Sequence, residues 1–267
     1  MNVLGTRVRR GAAAERAVLI SDLHLGAAAD AAIATFDAAV AHARERADAL
    51  LILGDLFDSY VSRAQVRVGV WRDVADRLAA AAGAGLRVVL LVGNRDFLMG
   101  REFERRSRAE LVPGGYRLQL GGVDTLLLHG DELCQNDVPY QRAKRWLRHP
   151  LTRAFARSLP VSLAVRAADR ARAKSRDVIR SGDQGRFLPS ARAVEAAVAG
   201  GVERLVFGHI HRHSAGSYGG AEYRVLPAFD QQGVGLLIGP GRCEAVRFCP
   251  EGAPEAVPDG SPCPWSD

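Results

Sequence analysis

Cysteine is scarce in this chain of 267 residues, and its four cysteines show no spacing typical of a metal-thiolate site. Cys134, Cys243, Cys249 and Cys263 form no CxxC pair, and they do not look like a disulfide framework. Long hydrophobic runs are also missing, because no run approaches the roughly 18 apolar residues of a membrane-spanning helix. We therefore expect a protein of a reducing, cytosolic compartment that is soluble or peripheral to a membrane.

Acidic residues are rare in one segment of the chain. Residues 142–192 hold 14 Lys and Arg against three Asp, a local balance of +11, whereas the whole chain carries +6. Such a segment indicates an anionic partner, although long basic side chains on a solvated helix face give the same pattern. Aromatic residues suited to base stacking are few within 142–176, where Trp146 and Phe155 stand out, and this disfavours nucleic acid as the partner.

Short apolar runs alternate with helical patterns in the first half of the chain. Predicted strands at 17–21, 49–53 and 88–92 are separated by predicted helices at 31–46 and 64–82. This β-α-β-α-β order favours parallel strands with helices on the faces of the sheet. The later part of the chain, with short β-like runs between Gly turns, favours antiparallel strands. We predict an α/β fold built as a mixed β-sandwich flanked by helices.

The main domain is predicted to span residues 17–248. Within it, residues 139–180 are wholly helical and basic in pattern, and a core strand follows them, which indicates an inserted helical cap. Residues 1–16 and the proline-rich residues 249–267 are expected to be disordered extensions.

Side chains that can bind metals follow five predicted strands, each at the carboxyl end. They are Asp22 and His24, Asp55, Asn94, His129, and His209 with His211. Because functional residues of such sheets lie beyond the carboxyl ends of the strands, we expect these side chains to share one edge. A set of nitrogen and oxygen ligands suits Mn, Fe, Ni or Zn better than a structural zinc centre. Seven ligands fit two ions that share a carboxylate and hold a bridging hydroxide as the nucleophile.

Each of these motifs is common when it is taken singly. Gly-Asp is a frequent turn, and a lone histidine such as His129 is usually a core residue. Their succession at five strand ends is what favours a metal site. Gly54, Gly93 and Gly208 each precede one of these ligands, which predicts sharp backbone turns where space is limited.

These motifs resemble the signature of the calcineurin-like metallophosphoesterases, which reads D-x-H, G-D, G-N-[HR]-[DE], H and G-H-x-H. The matching stretches are Asp22-x-His24, Gly54-Asp55, Gly93-Asn94-Arg95-Asp96, His129-Gly130-Asp131 and Gly208-His209-Ile210-His211. The resemblance implies a four-layer α/β/β/α fold with a di-metal site. It implies that the first metal would be held by Asp22, His24, Asp55 and His211, and the second by Asp55, Asn94, His129 and His209. Asp55 would bridge the two ions.

Arg95 stands where many members of this family have a histidine that can act as a general acid. An arginine cannot donate a proton at ordinary pH, but it pairs well with phosphate oxygens. A phosphate is a better leaving group than an alcohol and needs less assistance from an acid. Arg95 therefore favours an anhydride substrate.

Longer stretches resemble the UDP-2,3-diacylglucosamine pyrophosphatases of the lipid A pathway. Among them are Ser-Asp-Leu-His-Leu at 21–25, Gly-Asn-Arg-Asp-Phe-Leu-Met-Gly at 93–100 and His-Gly-Asp-Glu-Leu-Cys-Gln-Asn-Asp at 129–137. The resemblance implies cleavage of the UDP-linked lipid to UMP and 2,3-diacylglucosamine 1-phosphate (lipid X), with two Mn²⁺ per subunit. It implies substrate contacts at Asn94, Arg95, Asp137, Ser175 and His209, and catalytic roles for Asp55 and Arg95.

The same resemblance implies that the basic cap binds the lipid substrate and the membrane surface. Its apolar stripe can line a groove for acyl chains, while its Arg and Lys side chains neutralise the diphosphate and attach the protein to an anionic membrane surface. The expected location is the cytoplasmic face of the inner membrane. The chain departs from the family pattern at Ile179 and Gly182, where Asn and Lys are usual, and at residues 227–230, which lack the usual Gly-containing turn and Trp.

Two other functions stay open at this point. One is a different hydrolase on the same fold, such as a nuclease, a cyclic-nucleotide phosphodiesterase or a broad phosphatase. The other is a non-catalytic scaffold that has lost its metals. Every ligand position of the signature is filled here, which argues against the scaffold.

Overall fold

The computed structural model describes residues 2–26, 29–147, 149–158, 164–166, 170 and 184–266. The strands are β1 (Asn2–Val3), β2 (Thr6–Arg10), β3 (Ala17–Ile20), β4 (Ala49–Ile52), β5 (Arg87–Leu91), β6 (Glu110–Val112), β7 (Gly115–Leu120), β8 (Val123–Leu127), β9 (Arg204–Phe207), β10 (Ser214–Tyr218), β11 (Ala221–Val225), β12 (Val234–Gly239), β13 (Arg242–Arg247) and β14 (Glu255–Ala256). The helices are α1 (Asp30–Arg46), α2 (Gly69–Gly83), α3 (Arg101–Ser107), α4 (Val138–Leu147), α5 (Pro150–Ser158), α6 (Ala191–Val198) and α7 (Phe229–Gln232).

Two sheets of seven strands each are formed within the described residues. The first has the order β14-β13-β12-β3-β4-β5-β6, and the second has the order β1-β2-β7-β8-β9-β11-β10. Strands β3 to β6 are parallel to one another, as are β8 and β9 in the second sheet. The carboxyl ends of these parallel strands are where the sequence places its candidate ligands.

Alternation along the central strands explains how the layers pack. Val18 and Ile20 of β3 pack with α1 and α2, whereas Leu19 between them faces the second sheet, and β4 alternates in the same way. Because both faces of these strands are covered, their sequences are continuously apolar. On the far side, Leu205 and Phe207 of β9 pack with α6. The layers are therefore helix, sheet, sheet and helix, and the predicted four-layer α/β/β/α fold is confirmed.

The predicted cap is helical in its described part, where two helices follow each other. Helix α4 ends at Leu147 and α5 begins at Pro150. Proline disfavours a helical conformation of the residue before it, yet it is well suited to the first position of a new helix. Most of the predicted cap beyond Ser158 lies outside the described residues. Among the helices that the structure describes, none has the length and apolar composition needed to cross a lipid bilayer.

The prediction that residues 1–16 are disordered differs from the structure. Strand β2 pairs with β7 in parallel, and Val3 and Val8 are buried in the core between the second sheet and α6. One apolar residue inside each short strand anchors the segment, while Arg7 and Arg9 point outward. This two-residue alternation is too short to be recognised in an arginine-rich sequence.

The predicted disorder of residues 249–267 also differs from the structure. Strand β14 extends the first sheet, and the chain then crosses to the outer face of the second sheet. There the Trp265 ring packs against Tyr218 and Tyr223, with ring centroids 5.3 and 4.9 Å apart. The Ser266 N–H donates to the Pro189 carbonyl at 2.9 Å. The tail is therefore bound to the residues that directly precede α6.

We predict that Trp265→Ala lowers the free energy of unfolding by about 2 kcal/mol, because it removes a half-buried side chain with two ring contacts. Trp146→Ala is the matched control, since Trp146 lies on α4 with 68% of its surface exposed, and its loss should change stability by less than about 0.5 kcal/mol. Urea denaturation followed by circular dichroism measures both. Equal midpoints for the two variants would contradict an ordered tail.

Candidate metal centre

The two sheets meet at the edge formed by the carboxyl ends of their parallel strands. The His129 Nδ1–H, at the end of β8, donates to the Leu53 carbonyl of the first sheet at 2.8 Å. The His209 N–H, beyond β9, donates to Asp22 Oδ2 at 2.8 Å. These bonds fix the ends of the two sheets against each other and bring residues distant in sequence to one place.

Five of the predicted ligands have a left-handed backbone, which non-glycine residues rarely adopt. They are Asp22, His24, Asp55, His209 and His211, with φ between 46° and 69°. Among the described non-glycine residues, only Leu4 and Arg108 share this feature. Such conformations are costly and cluster at functional sites, where surrounding contacts hold them in place. Here the Asp55 carbonyl accepts the N–H groups of Leu23 and His24, both at 3.0 Å.

The glycines before the ligands are required by close approach, as the sequence predicted. A Cβ atom at Gly208 would overlap Ser21 Oγ and Asp22 Oδ2, and one at Gly93 would overlap the Asp55 carboxylate. Gly54 has a φ of 96°, and a side chain there would meet the His129 ring. Side chains at these positions would displace the candidate ligands themselves.

The structure brings all seven predicted ligands together. One group of mutually close ligand atoms comes from Asp22, His24 and His211, and a second comes from Asp22, Asp55 and His129. In each group the ligand atoms lie within 4.8 Å of one another. Asn94 Oδ1 lies 2.9 Å from His129 Nε2, and the His209 ring centroid lies 5.0 Å from that of His129.

The donor atoms in this cluster fit a cation. Asp22 Oδ1 and His24 Nε2 are buried and make no hydrogen bond. His24 Nε2 lies 4.0 Å from Asp22 Oδ1 and 3.7 Å from Asp55 Oδ2, so its nearest polar neighbours are carboxylate oxygens. Buried acceptors that converge in this way are stabilised by a positive charge placed among them. Carboxylate oxygens and imidazole nitrogens are ordinary ligands of divalent transition metals.

Electrostatics in the cluster also favours positive charge. Burial alone would raise the pKa of the Asp55 carboxyl, but His129 and His24 hold it below its usual range. Burial opposes protonation of His129, yet the Asp55 and Asp22 carboxylates raise its pKa to about 9. His209 differs, because burial and the neighbouring His129 lower its pKa to about 4. Its imidazole is therefore neutral at pH 7 and can act as a ligand.

Asp96 connects the ends of two strands, a role that its place in the Gly-Asn-Arg-Asp motif did not reveal. Its carboxyl oxygens accept the N–H groups of Gly93 and Leu56, both at 2.8 Å. Burial and the Asp55 carboxylate raise the pKa of Asp96 to about 7. Asp96 thus holds the loops that carry Asp55 and Asn94 at a fixed separation.

Arg95 lies beside Asp55, with part of its side chain exposed. Its backbone N–H donates to Asp55 Oδ1 at 2.8 Å, and its Nε lies 3.5 Å from Asp55 Oδ2. Its Nη1 donates to Asp58 Oδ1 at 2.9 Å, so the guanidinium is braced between two carboxylates. A group held there can meet an anion that enters the centre.

The predicted substrate contacts are only partly brought together. Asn94, Arg95 and His209 lie at the centre. Asp137 lies at the start of α4, where its Oδ1 accepts the N–H of Tyr140 at 3.4 Å. Ser175, together with Ile179 and Gly182, lies outside the described residues.

A buried ion pair that the sequence did not predict attaches α4 to the centre. Asp131 Oδ2 accepts the Tyr140 hydroxyl at 2.5 Å and lies 2.8 Å from Lys144 Nζ. The Tyr140 ring in turn stacks on His209, with centroids 6.4 Å apart and an interplanar angle of 28°. The only sequence signal was that Asp131 follows His129 by two residues. Its partners on the cap helix could not be identified from the spacing.

Comparison with known proteins shows what this chain is similar to. The model of the calcineurin-like phosphoesterase family matches residues 15–213. A UDP-2,3-diacylglucosamine hydrolase of Pseudomonas aeruginosa is 36% identical over 226 residues, covering 83% of this chain and 94% of that protein. One from Ralstonia nicotianae is 35% identical over 228 residues, covering 79% of this chain and 82% of that protein. The solved structure of a phosphoesterase from E. coli matches with a TM-score of 0.45 and 16% identity, over 91% of this chain and all of that one.

The family model covers most of the chain and spans every strand end at which the candidate ligands meet. The chain belongs to the calcineurin-like phosphoesterase family, and this membership implies a divalent metal centre at that edge.

Proposed function

We propose that this protein hydrolyses the pyrophosphate bond of UDP-2,3-diacylglucosamine, releasing UMP and 2,3-diacylglucosamine 1-phosphate. In this reaction the oxygen of water bonds to one phosphorus, the P–O bond to the bridging oxygen breaks, and the bridging oxygen leaves on the second phosphate. The substrate assignment is carried by the relatives of that name, which are 36% and 35% identical over most of the chain.

We infer two Mn²⁺ ions as the cofactors. The first would be held by Asp22, His24, Asp55 and His211, and the second by Asp55, Asn94, His129 and His209. When bound, such a pair supplies an activated water and neutralises charge on the diphosphate. The absence of thiolates from the ligand set and the presence of four imidazoles fit Mn²⁺ among other divalent ions.

The position of Asp55 supports its assignment as the shared ligand. Its Oδ2 lies 3.7 Å from His24 Nε2, and its Oδ1 lies 3.7 Å from His129 Nε2. The two oxygens of one buried carboxylate therefore face imidazoles from different sheets. A carboxylate placed between ligands of both sheets in this way could be shared by two ions.

Arg95 is placed to act on the phosphates. Asp55 and Asp58 brace its guanidinium, which keeps a fixed positive charge at the edge of the centre. A guanidinium pairs with two phosphate oxygens at once and stabilises the charge that develops on the departing phosphate. Because it supplies no proton, it serves a phosphate leaving group better than an alkoxide.

The surface of the cap supports a lipid substrate and a membrane location. Trp146, Leu151 and Phe155 expose 68%, 75% and 69% of their surface on α4 and α5, a high exposure for large apolar side chains. They stand among the basic residues of the same segment, including exposed Arg145. Apolar groups combined with Lys and Arg suit acyl chains and an anionic bilayer. We infer attachment to the cytoplasmic face of the inner membrane.

We expect rapid UMP release from UDP-2,3-diacylglucosamine in the presence of Mn²⁺, and its loss with a chelator. Asp55→Asn should lower kcat by at least about 10²-fold, because it removes charge at the reacting centre. Asp37→Asn, which changes a half-exposed carboxylate on α1 that pairs with Arg77, should stay near the wild-type rate. Chromatographic detection of UMP measures each rate, beside bis-p-nitrophenyl phosphate as a generic diester. Diester cleavage without UMP release would keep the metal centre but reject the substrate.

Arg95→Ala should lower kcat/KM for the UDP-lipid by about 10²–10³-fold, because it removes the charge that stabilises the leaving phosphate. Cleavage of bis-p-nitrophenyl phosphate, whose leaving group is not a phosphate, should fall less than about tenfold. Arg95→Lys should restore little, since an ammonium lacks the planar fork. Arg105→Ala, on the exposed side of α3, is the control. Equal losses on both substrates would rule out this role.

Lys144→Met should detach α4 from the centre, because removing one partner of a buried ion pair costs about 3–5 kcal/mol. Amide hydrogen exchange across residues 138–147 should accelerate by about 100-fold or more, and KM for the UDP-lipid should rise. Arg145→Met removes a neighbouring exposed charge and should leave exchange unchanged. The role is refuted if both variants exchange at the wild-type rate.

A further inference from the structure

His24 has one ring nitrogen inside the metal cluster and one outside it. Its Nε2 faces Asp55 and Asp22, whereas its Nδ1 lies 3.3 Å from Asp230 Oδ2 on α7. Asp230 follows His24 by 206 residues, so this contact exists only in the folded chain. Because a carboxylate accepts hydrogen bonds, the Asp230 contact keeps a proton on Nδ1, so the neutral ring carries its lone pair on Nε2.

Helix α7 is built to hold Asp230 in that place. The Phe229 N–H donates to the carbonyls of Ser21 and Asp22, at 3.2 and 3.1 Å, so the helix begins on the strand end that leads to His24. The Phe229 side chain is buried and packs near Phe248. Gly233 ends the helix in a left-handed conformation with a φ of 63°. One turn of helix is therefore fixed at both ends.

The contact with His24 is the main interaction described for the Asp230 side chain. Among the contacts described for the chain, His24 is the partner of its carboxylate. About a quarter of the side chain is exposed, so its burial does not demand a counter-charge. Its neighbours Gln231 and Gln232 on the same turn are exposed.

We propose that Asp230 is a positioning residue that fixes the tautomer and ring orientation of His24 and so sets the affinity of the centre for its cation. The proposal rests on the metal centre of the proposed function, and it assigns Asp230 no contact with substrate or metal. A carboxylate on the far nitrogen of a ligating imidazole orients the ring and increases its basicity, and losing it typically weakens metal binding by about 10–100-fold.

The test uses the full chain and Mn²⁺ alone, with no substrate. Asp230→Ala should weaken binding of Mn²⁺ by about 10–100-fold in competition with a chelator, while two equivalents still bind at saturation. Asp230→Asn keeps an oxygen that can accept the hydrogen bond but loses the charge, so its loss should be smaller than that of Asp230→Ala. Gln231→Ala is the matched control on the same turn and should bind as the wild type does.

A second readout follows the tautomer directly. In metal-free protein, at a pH where the His24 ring is neutral, ¹⁵N-edited NMR of the imidazole rings should show His24 losing its fixed Nδ1–H in Asp230→Ala and keeping it in Asp230→Asn. Wild-type affinity in Asp230→Ala would overturn the proposal, and the loss of one Mn²⁺ equivalent at saturation would make Asp230 a ligand instead. Failure of the wild type to bind Mn²⁺ would refute the proposed function itself, which is a distinguishable outcome.

Discussion

The structure depends on burying several carboxylates at the edge where two sheets meet. Asp22, Asp55 and Asp96 all lie in this region with almost no exposed surface. Charges in such a setting repel one another strongly because the surroundings are weakly polar. Neighbouring imidazoles and backbone N–H groups that donate to the carboxylate oxygens reduce this repulsion. The pKa of Asp96 is raised to about 7, which also reduces the negative charge. A site of this kind attracts cations, and its geometry follows from how the strand ends are joined.

Much of the centre could be predicted because its pieces are local in sequence. A strand buried on both faces is a continuous apolar run, so the ends of β3, β4 and β5 are visible as points where polar residues begin. Parallel strands carry these ends to one edge. The repeated form of the motifs at His129 and His209 indicated one shared edge. The four-layer fold was implied by the family resemblance, and it is confirmed.

Contacts between distant segments could not be predicted from composition or from the spacing of apolar residues. Asp230 reaches His24 because α7 begins on the carbonyls of Ser21 and Asp22, and nothing near Asp230 in sequence marks it. The proline-rich tail has the composition of a disordered segment. Its Trp265 side chain nevertheless packs against the outer face of the second sheet. Proline limits backbone hydrogen bonding without preventing side chains from packing. The prediction of disorder, which was based on composition alone, was therefore wrong for the tail.

Backbone strain and hydrogen bonding are coupled at this centre. Left-handed conformations at non-glycine residues cost of order 1–3 kcal/mol each, and five candidate ligands adopt them. The bonds from Leu23 and His24 to the Asp55 carbonyl, and from His209 to Asp22, run between the strained turns and stabilise them. Because these bonds link the turns of Asp22, His24, Asp55 and His209, none of the four can relax without releasing another. The side chains on these turns are therefore held in position before a cation binds. The entropy lost in ordering them is part of the free energy of folding and does not reduce the affinity for the cation.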